Sequence, residues 1–198
     1  MPYLPLHIDV SGMTILVVGG GAVAERKIIV LLAAGATVNV IAPEIAPRIN
    51  QLAAHGALQL KKRHYVPDDL NGIFLAVAAT NDPQVNRQIA ADARQNGILV
   101  SVADAPETGN CTFPAVLRRG DLGISVSTNG TYPGFAVEIR NILASVIGEE
   151  YGTLLETLAI EREKLLTEEC WNTYNNQVLR SRARELINGL FEHKERVP

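Results

Sequence analysis

The chain has 198 residues, of which 47% are hydrophobic, 20% are charged and only 5% are aromatic, and its formal net charge is -3. These values are typical of a globular protein with a core of aliphatic side chains, and they exclude an intrinsically disordered chain. An acidic chain with few aromatic residues also lacks the basic surface and the stacking platforms that bind nucleic acid. We therefore expect no nucleic-acid partner.

The amino-terminal residues 1–12 contain no basic stretch followed by an apolar one, and the most apolar segment, residues 28–42, is interrupted by a glycine and two polar residues. We expect neither a signal peptide nor a membrane span. The two cysteines, Cys111 and Cys170, belong to no Cys-x-x-Cys or Cys/His cluster. This pattern favours free thiols, no metal site and a cytoplasmic protein.

The first hundred residues alternate between short β-branched segments and longer Ala-rich segments, which predicts strands and helices in turn. The predicted strands are 14–18, 37–41, 58–62, 74–79 and 98–103. The predicted helices are 22–34, a segment that follows Pro43 and ends near Gly56, and 82–96. Apolar strands that alternate with helices indicate an α/β fold with a Rossmann-type parallel sheet covered on both faces.

The pattern changes after Asp104. Strands are predicted at 112–117 and 122–127, joined around residues 118–121, which is typical of a β-hairpin. Amphipathic helices are predicted at 136–147, 154–166 and 178–191. We therefore predict a nucleotide-binding domain over residues 1–110, a hairpin and helix region over 111–148, and a C-terminal helical region over 149–198.

The sequence Gly-Gly-Gly-Ala-Val-Ala at residues 19–24 fits the pattern G-x-G-x-x-A, and it lies between a predicted strand and a predicted helix. In dinucleotide-binding proteins the first glycine, here Gly19, allows a tight turn, and the second, Gly21, lets the pyrophosphate approach the backbone. Ala24 would allow close packing of helix and strand, and the helix amino terminus offers N–H groups to phosphate. The alternative is a glycine-rich turn that binds nothing.

An acidic residue that binds the ribose is expected about 20 residues after such a loop. Glu44 follows the predicted strand 37–41 and lies slightly late, so the backbone at Pro43 would share its role. No arginine directly follows that strand to receive a 2′-phosphate. The sequence thus favours NAD over NADP.

Two further residues follow predicted strands at the carboxyl edge, where ligands of open α/β sheets bind. Asn81 either contacts a ligand or belongs to the helix start at Asp82. Asp104 either acts as a general acid or base beside a hydride transfer or closes the turn before Pro106. No tyrosine is followed four residues later by lysine, which excludes the short-chain dehydrogenase class.

Four segments, at residues 4–44, 74–86, 100–106 and 112–140, together resemble the precorrin-2 dehydrogenase and sirohydrochlorin ferrochelatase family of siroheme synthesis. The motifs that carry the resemblance are Gly-Gly-Gly-x-Val-Ala-x-Arg-Lys, Ala-Ala-Thr, Asp-Ala-Pro and Ser-Thr-Asn-Gly-Thr-x-Pro. Their order and spacing are more specific than the glycine loop alone, and the resemblance extends to about Gly148.

The resemblance implies NAD-dependent oxidation of precorrin-2 to sirohydrochlorin by a homodimer, with residues 111–148 forming a dimerisation region that both chains share. It also implies a stand-alone form, without the methyltransferase region of larger relatives. One alternative is a bifunctional enzyme that also inserts Fe²⁺ or Co²⁺ into sirohydrochlorin at the same cleft. A second alternative is a non-catalytic NAD-sensing module, since a Rossmann-type domain alone fixes no activity.

Carried over to this sequence, the resemblance assigns roles to individual residues. The acid or base would be Asp104. The residues that the resemblance assigns to the cofactor are Gly19, Gly21, Ala22, Val23, Pro43 and Glu44. Asn81 is added to them because of its position at the carboxyl edge.

The substrate is a tetrapyrrole that bears many carboxylates, so an acidic protein must present basic groups to it. The candidates are Arg118, Arg119 and Arg140, together with backbone N–H groups from Asn129 to Thr131. Alternatively, the arginines belong to a charged hairpin turn and a solvated helix face. Thr128 is also assigned to the substrate site, although some family members have serine there.

Overall fold

The structure, a computed structural model, describes residues 3–167 and 173–195. The chain divides into two compact units, residues 1–113 and 114–198. The boundary at residue 113 lies close to residue 110, the predicted end of the nucleotide-binding domain. The division into three regions, 1–110, 111–148 and 149–198, stays a prediction. Cys170 lies outside the described residues.

The first unit contains a five-stranded parallel sheet in the order β3-β2-β1-β4-β5. Its strands are β1 (Thr14–Val18), β2 (Thr37–Ile41), β3 (Gln59–Lys61), β4 (Leu75–Ala78) and β5 (Leu99–Val102). Its helices are α1 (Ala22–Ala33), α2 (Pro47–Ala54) and α3 (Pro83–Gln95), with short 3-10 turns at Pro67–Leu70 and Pro106–Thr108. The predicted Rossmann-type fold class is confirmed.

The sheet is buried on both faces because its strands carry aliphatic side chains on both sides. In β1, Ile15 and Val17 join a core cluster that includes residues of α1 and α2, while Leu16 and Val18 join a second cluster that includes residues of α3. These four of the five β1 side chains are at most 2% exposed. The central strand thus fixes the position of the loop that follows it.

Helix α2 begins at Pro47, later than the sequence pattern predicts. The preceding residue, Ala46, is extended with φ -60° and ψ 147°, and its N–H donates to the carbonyl of Gly20 at 2.8 Å. Residues 43–46 therefore pack along the glycine loop before the helix starts. This long-range backbone contact is invisible to a local sequence pattern.

The second unit contains the antiparallel hairpin of β6 (Ala115–Arg119) and β7 (Leu122–Val126). It continues with α4 (Pro133–Val146), α5 (Glu150–Thr167) and α6 (Thr173–Glu195). Among the described residues, no helix is long and apolar enough to cross a membrane.

The hairpin connection is shorter than the sequence pattern predicts. Arg119 pairs with Leu122, so the turn consists only of Gly120 and Asp121. Gly120 has φ +55°, which suits the first central position of a type II′ hairpin turn. As a result, Arg118 and Arg119 lie within β6, and the prediction that they form part of the connection was wrong.

Cys111, a free cysteine, packs against the core cluster that faces α1 and α2. Burial raises the pKa of its thiol to about 11, from an ordinary value of 9.0. Because the thiolate is the reactive form, we predict that native Cys111 reacts with iodoacetamide at pH 8 about 100-fold more slowly than in the unfolded chain. Peptide-resolved mass spectrometry separates it from Cys170. Equal rates in native and denatured protein would contradict the burial of this thiol.

Candidate active site

The order of the strands creates a crevice at the carboxyl ends of β1 and β4. The chain leaves β1 toward β2 on one side, and β4 lies on the other side, so the loops that follow β1 and β4 diverge. Ligands of open α/β sheets bind at such a switch point. A cleft of about 580 Å³ lies here, within the size range of small-molecule sites. Its lining comes from residues 18–21, 41–46, 63–65, 79–82 and Val85.

The first two glycines of the loop are required by close backbone packing. Gly19 has φ +131°, and a Cβ there would overlap the carbonyl oxygen of Ala79 at the end of β4. A Cβ on Gly20 would overlap the carbonyl oxygen of Glu44. Gly20 therefore has a packing role that the dinucleotide motif did not identify. Together the two glycines allow the loop to lie directly against the segments that follow β2 and β4.

Gly21 differs from its neighbours because no atom lies within 4 Å of the position that a Cβ would take. It is the N-cap residue of α1 and has an extended backbone. Because glycine has no side chain, it does not cap the first N–H groups of the helix. The first N–H groups of a helix have no partner within the helix, so the start of α1 offers donors to an anion. Ala22 and Val23, which form the first turn, are exposed. This arrangement fits the pyrophosphate of a dinucleotide.

Pro43 and Glu44 are exposed and line the same cleft as Gly21, as their assignment to the adenosine ribose requires. The segment that contains them is held by two backbone hydrogen bonds, from Gly19 N–H to the Ile41 carbonyl at 2.9 Å and from Ala46 N–H to Gly20. The ribose-binding role of Pro43 and Glu44 stays a prediction.

Arg63, which no sequence motif identified, lines the cleft beside β3. Its guanidinium binds both carboxylate oxygens of Asp69, and Nη1 also donates to the His64 carbonyl at 2.8 Å. The hydrogen bond from Arg63 holds the pKa of Asp69 below its ordinary value. Three of its five N–H groups have acceptors, and the ion pair with Asp69 offsets its charge, so this arginine would attract a 2′-phosphate less than an unpaired one. Its sequence position, far from β2, gave no signal of this proximity.

The segment after β4 both lines the cleft and starts helix α3. Thr80 and Asn81 line the cleft, and Asn81 is exposed. Asp82 is the N-cap of α3, where its carboxylate accepts from the N–H groups of Gln84 at 2.8 Å and Val85 at 3.4 Å. The capping role therefore belongs to Asp82, which leaves the Asn81 side chain exposed at the cleft.

Asp104 lies after β5 and is exposed, but it is not part of the cleft lining. Its Oδ1 accepts a hydrogen bond from Nδ2 of Asn86 at 2.8 Å. The same Asn86 side chain binds Thr80, which does line the cleft. The turn at Pro106 is closed by Thr108, whose N–H and hydroxyl donate to the Ala105 carbonyl at 2.9 and 2.8 Å.

Asn86 was also missed by the sequence analysis, although a signal for it was available. It shares one face of α3 with Ile89, Ala90 and Ala93, all of which are buried. A polar residue in such an apolar stripe needs hydrogen-bond partners, so the spacing could have identified it.

Arg118, Arg119 and Arg140 belong to the second unit, and their environments differ. Arg118 is exposed on β6, and Arg140 is half-buried on α4. Arg119 donates to the carbonyls of Ile147 at 2.9 Å and Ala144 at 3.4 Å, near the carboxyl end of α4. Arg119 thus makes stabilising contacts at that helix end, and its assignment to the substrate stays a prediction.

The loop before α4 uses much of its own hydrogen-bonding capacity. Asn129 is left-handed with φ 52°, and its N–H donates to Ser127 Oγ at 3.1 Å. Thr131 N–H donates to the Thr128 carbonyl at 3.0 Å, and Thr128 Oγ1 accepts from Tyr132 N–H at 3.3 Å. Contact of Thr128 and Asn129 with a substrate stays a prediction.

The described part of the chain contains no group of three or more His, Cys, Asp or Glu side chains that could hold a metal ion.

We predict that Gly21→Asp weakens NAD binding without unfolding the protein, because its Cβ meets open space while its charge repels the pyrophosphate. Calorimetric titration should show a loss of NAD affinity of about 5- to 30-fold at an unchanged Tm, since one repelled charge contributes about 1–2 kcal/mol. Gly21→Asn is the matched control for size without charge. Retained affinity in Gly21→Asp would mean that the dinucleotide uses another loop.

Gly20→Ala, in contrast, should destabilise the fold, because its methyl group would overlap the Glu44 carbonyl. We expect this variant to lose about 1–3 kcal/mol of unfolding free energy, as is usual when a packed position receives an extra carbon. Urea unfolding measures the loss. A variant as stable as the wild type would contradict the close approach of the loop to Glu44.

Comparisons with known proteins agree with this geometry. A family model described as putative NAD(P)-binding matches residues 6–115. The predicted nicotinamide dinucleotide cofactor is thereby confirmed. The siroheme synthase of Chromobacterium violaceum is 44% identical over 154 residues, which is 78% of this chain and 33% of the relative. That of Methylococcus capsulatus is 38% identical over 165 residues, which is 83% of this chain and 35% of the relative.

The chain spans about a third of the length of these curated relatives. A solved structure of SirC, a precorrin-2 dehydrogenase, is similar over 96% of this chain and 99% of its own, with a TM-score of 0.70 and 30% identity. The chain therefore belongs to the precorrin-2 dehydrogenase family, and its residues 6–115 form a member of the putative NAD(P)-binding domain family.

Proposed function

We propose that this protein oxidises precorrin-2 to sirohydrochlorin with NAD as the hydride acceptor. The observation that carries the proposal is that Thr80, in the lining of the dinucleotide cleft, and Asp104 bind the same buried amide of Asn86. A fixed carboxylate is thus linked to the cofactor cleft. The similarity to SirC over nearly the whole of both chains supports the same reaction.

The reaction removes one hydride and one proton from precorrin-2, and it yields sirohydrochlorin, NADH and a released proton. Bound NAD supplies the acceptor for the hydride. Asp104 accepts the proton that leaves from carbon or nitrogen, and it then releases that proton to water. Its exposure supports both steps, because a buried carboxylate could not exchange readily with solvent.

The cofactor would be held by the loop and by the segment after β2. Gly21, Ala22 and Val23 would offer backbone N–H groups to the pyrophosphate, while Gly19 allows the loop to lie against the end of β4. Glu44 with Pro43 would bind the adenosine ribose, and Asn81 would contact the cofactor at the end of β4. The ion pair between Arg63 and Asp69 favours NAD over NADP.

The substrate carboxylates require cations, which the second unit offers. Arg118 is exposed, and Arg140 is half-buried, so both are available for carboxylate contacts. Thr128 and Asn129 would add polar contacts from the loop before α4. Arg119 would contribute less, because it already binds carbonyls of residues 144 and 147.

A homodimer forms part of the proposal, because the second unit has an exposed apolar surface. Tyr132, Phe135 and Ile142 lie near one face of α4, and they are 65%, 55% and 59% exposed. Contiguous apolar side chains on a helix face usually mark an interface. A second copy of the chain is the partner that the predicted dimerisation region 111–148 implies. The cytoplasmic location expected from the cysteine pattern stays a prediction.

Insertion of Fe²⁺ or Co²⁺ into sirohydrochlorin remains the alternative activity, with the metal ion as a substrate. In that reaction Asp104 would take up pyrrole protons as the metal enters. Turnover of sirohydrochlorin and Fe²⁺ without NAD, above the rate of a protein-free control, would establish it. A rate equal to that control would exclude it.

We predict that Asp104→Ala lowers kcat for NADH formation from precorrin-2 by about 100-fold or more, because general acid–base groups contribute factors of this size. The affinity for NAD should change little, since Asp104 does not line the cleft. NADH absorbance with precorrin-2 generated in the cuvette measures the rate. Unchanged turnover would remove Asp104 from the mechanism, and an inactive wild type that binds NAD would favour the NAD-sensing module.

We predict that Ile142→Glu shifts the protein from dimer to monomer, because a charge would be buried in the α4 interface. Sedimentation velocity measures the mass. Asn141→Glu, at the neighbouring exposed position on another face of α4, is the matched control and should stay dimeric. A wild-type protein that sediments as a monomer at micromolar concentration would contradict the dimer.

A further inference from the structure

Asn86 is a buried polar residue whose amide is fully hydrogen-bonded between two loops of the sheet edge. It is 1% exposed. Its Oδ1 accepts from the N–H of Thr80 at 3.1 Å and from the Thr80 hydroxyl at 2.7 Å. Its Nδ2 donates to the Thr80 carbonyl at 3.1 Å and to Asp104 Oδ1 at 2.8 Å. The amide therefore joins the end of β4 to the end of β5.

These contacts allow only one orientation of the amide. The Thr80 N–H is only a donor, so it must face the Asn86 oxygen, and the Thr80 carbonyl is only an acceptor, so it must face the nitrogen. The second N–H of the amide is then directed at Asp104. The backbone of Thr80 thus determines which group of Asn86 meets the carboxylate.

We infer that Asn86 is a positioning residue that holds the carboxylate of Asp104 in its reactive orientation. The hydrogen bond engages Oδ1, and it leaves Oδ2 of an exposed side chain to receive the proton from the substrate. Fixing the carboxylate in advance avoids an entropic cost when the substrate binds. Because Thr80 lines the cleft, the same amide sets the position of the base relative to the cofactor cleft. The inference rests on the proposed dehydrogenase function.

A purely structural role would also explain why Asn86 is buried, since its side chain binds the backbone N–H and carbonyl of Thr80. The two roles differ in what a substitution does. Loss of a structural clamp would weaken NAD binding and stability whether or not Asp104 is present. Loss of a positioning residue would lower kcat only while the carboxylate it holds is present.

The test variant is Asn86→Asp, which keeps the side-chain shape and the acceptor for Thr80 but removes the donors to the Thr80 carbonyl and to Asp104. We expect kcat for NADH formation to fall at least ~10-fold, while KM for precorrin-2 and Kd for NAD change less than about 3-fold. In the Asp104→Ala background, Asn86→Asp should cause no further loss of kcat. Asn86→Ser, which removes the amide without adding charge, replaces this variant if Asn86→Asp does not fold.

Asn110→Asp is the matched control. Asn110 Nδ2 donates to the Ile98 carbonyl at 3.2 Å, and its Oδ1 accepts from Val100 N–H at 2.7 Å, so it is also an amide clamp on the β5 segment. It makes no contact with Asp104 among its described hydrogen bonds, so kcat should stay within about 3-fold of the wild type.

Two results would overturn the inference alone: a wild-type kcat in Asn86→Asp, or an equal further loss when Asn86→Asp is added to Asp104→Ala. Both require an active wild-type enzyme. A wild-type protein that forms no NADH from precorrin-2 would overturn the proposed function and this inference together. The two failures are therefore distinguishable.

Discussion

The architecture of the site depends on a backbone packing contact at the carboxyl edge of the sheet. Gly19 lies against the Ala79 carbonyl after β4, and Gly20 lies against the Glu44 carbonyl after β2, with no room for a side chain at either position. This contact brings the ends of three neighbouring strands together and sets where α1 begins. The cleft, the amino terminus of α1 and the segment after β2 all take their positions from it.

Side-chain hydrogen bonds between the loops also stabilise the site. Asn86 ties Thr80 to Asp104, and Arg63 is held by Asp69 at the other side of the cleft. Asp104, the group proposed to accept a proton, is therefore held by a buried neighbour, and the wall of the cleft beside β3 is held by an ion pair. Such neighbours limit the movement of functional side chains and hold them in a reactive geometry.

Much of this organisation could be predicted from local sequence. Strands β1 and β2 begin and end at the predicted residues because their apolar runs are bounded by clear signals. The glycine motif lies, as its pattern predicts, between β1 and α1, and it lines the cleft. The missed features depend on partners distant in sequence. Arg63 approaches the cleft only through the strand order, and Asn86 gains its role from a carboxylate 18 residues away.

A crystal structure of the protein with NAD bound would test this arrangement most directly. We expect the pyrophosphate oxygens to accept hydrogen bonds from the backbone N–H groups of Ala22 and Val23, and the nicotinamide to be directed toward the ends of β4 and β5, where Asp104 lies. A dinucleotide bound away from the glycine loop, or a nicotinamide directed away from Asp104, would contradict it.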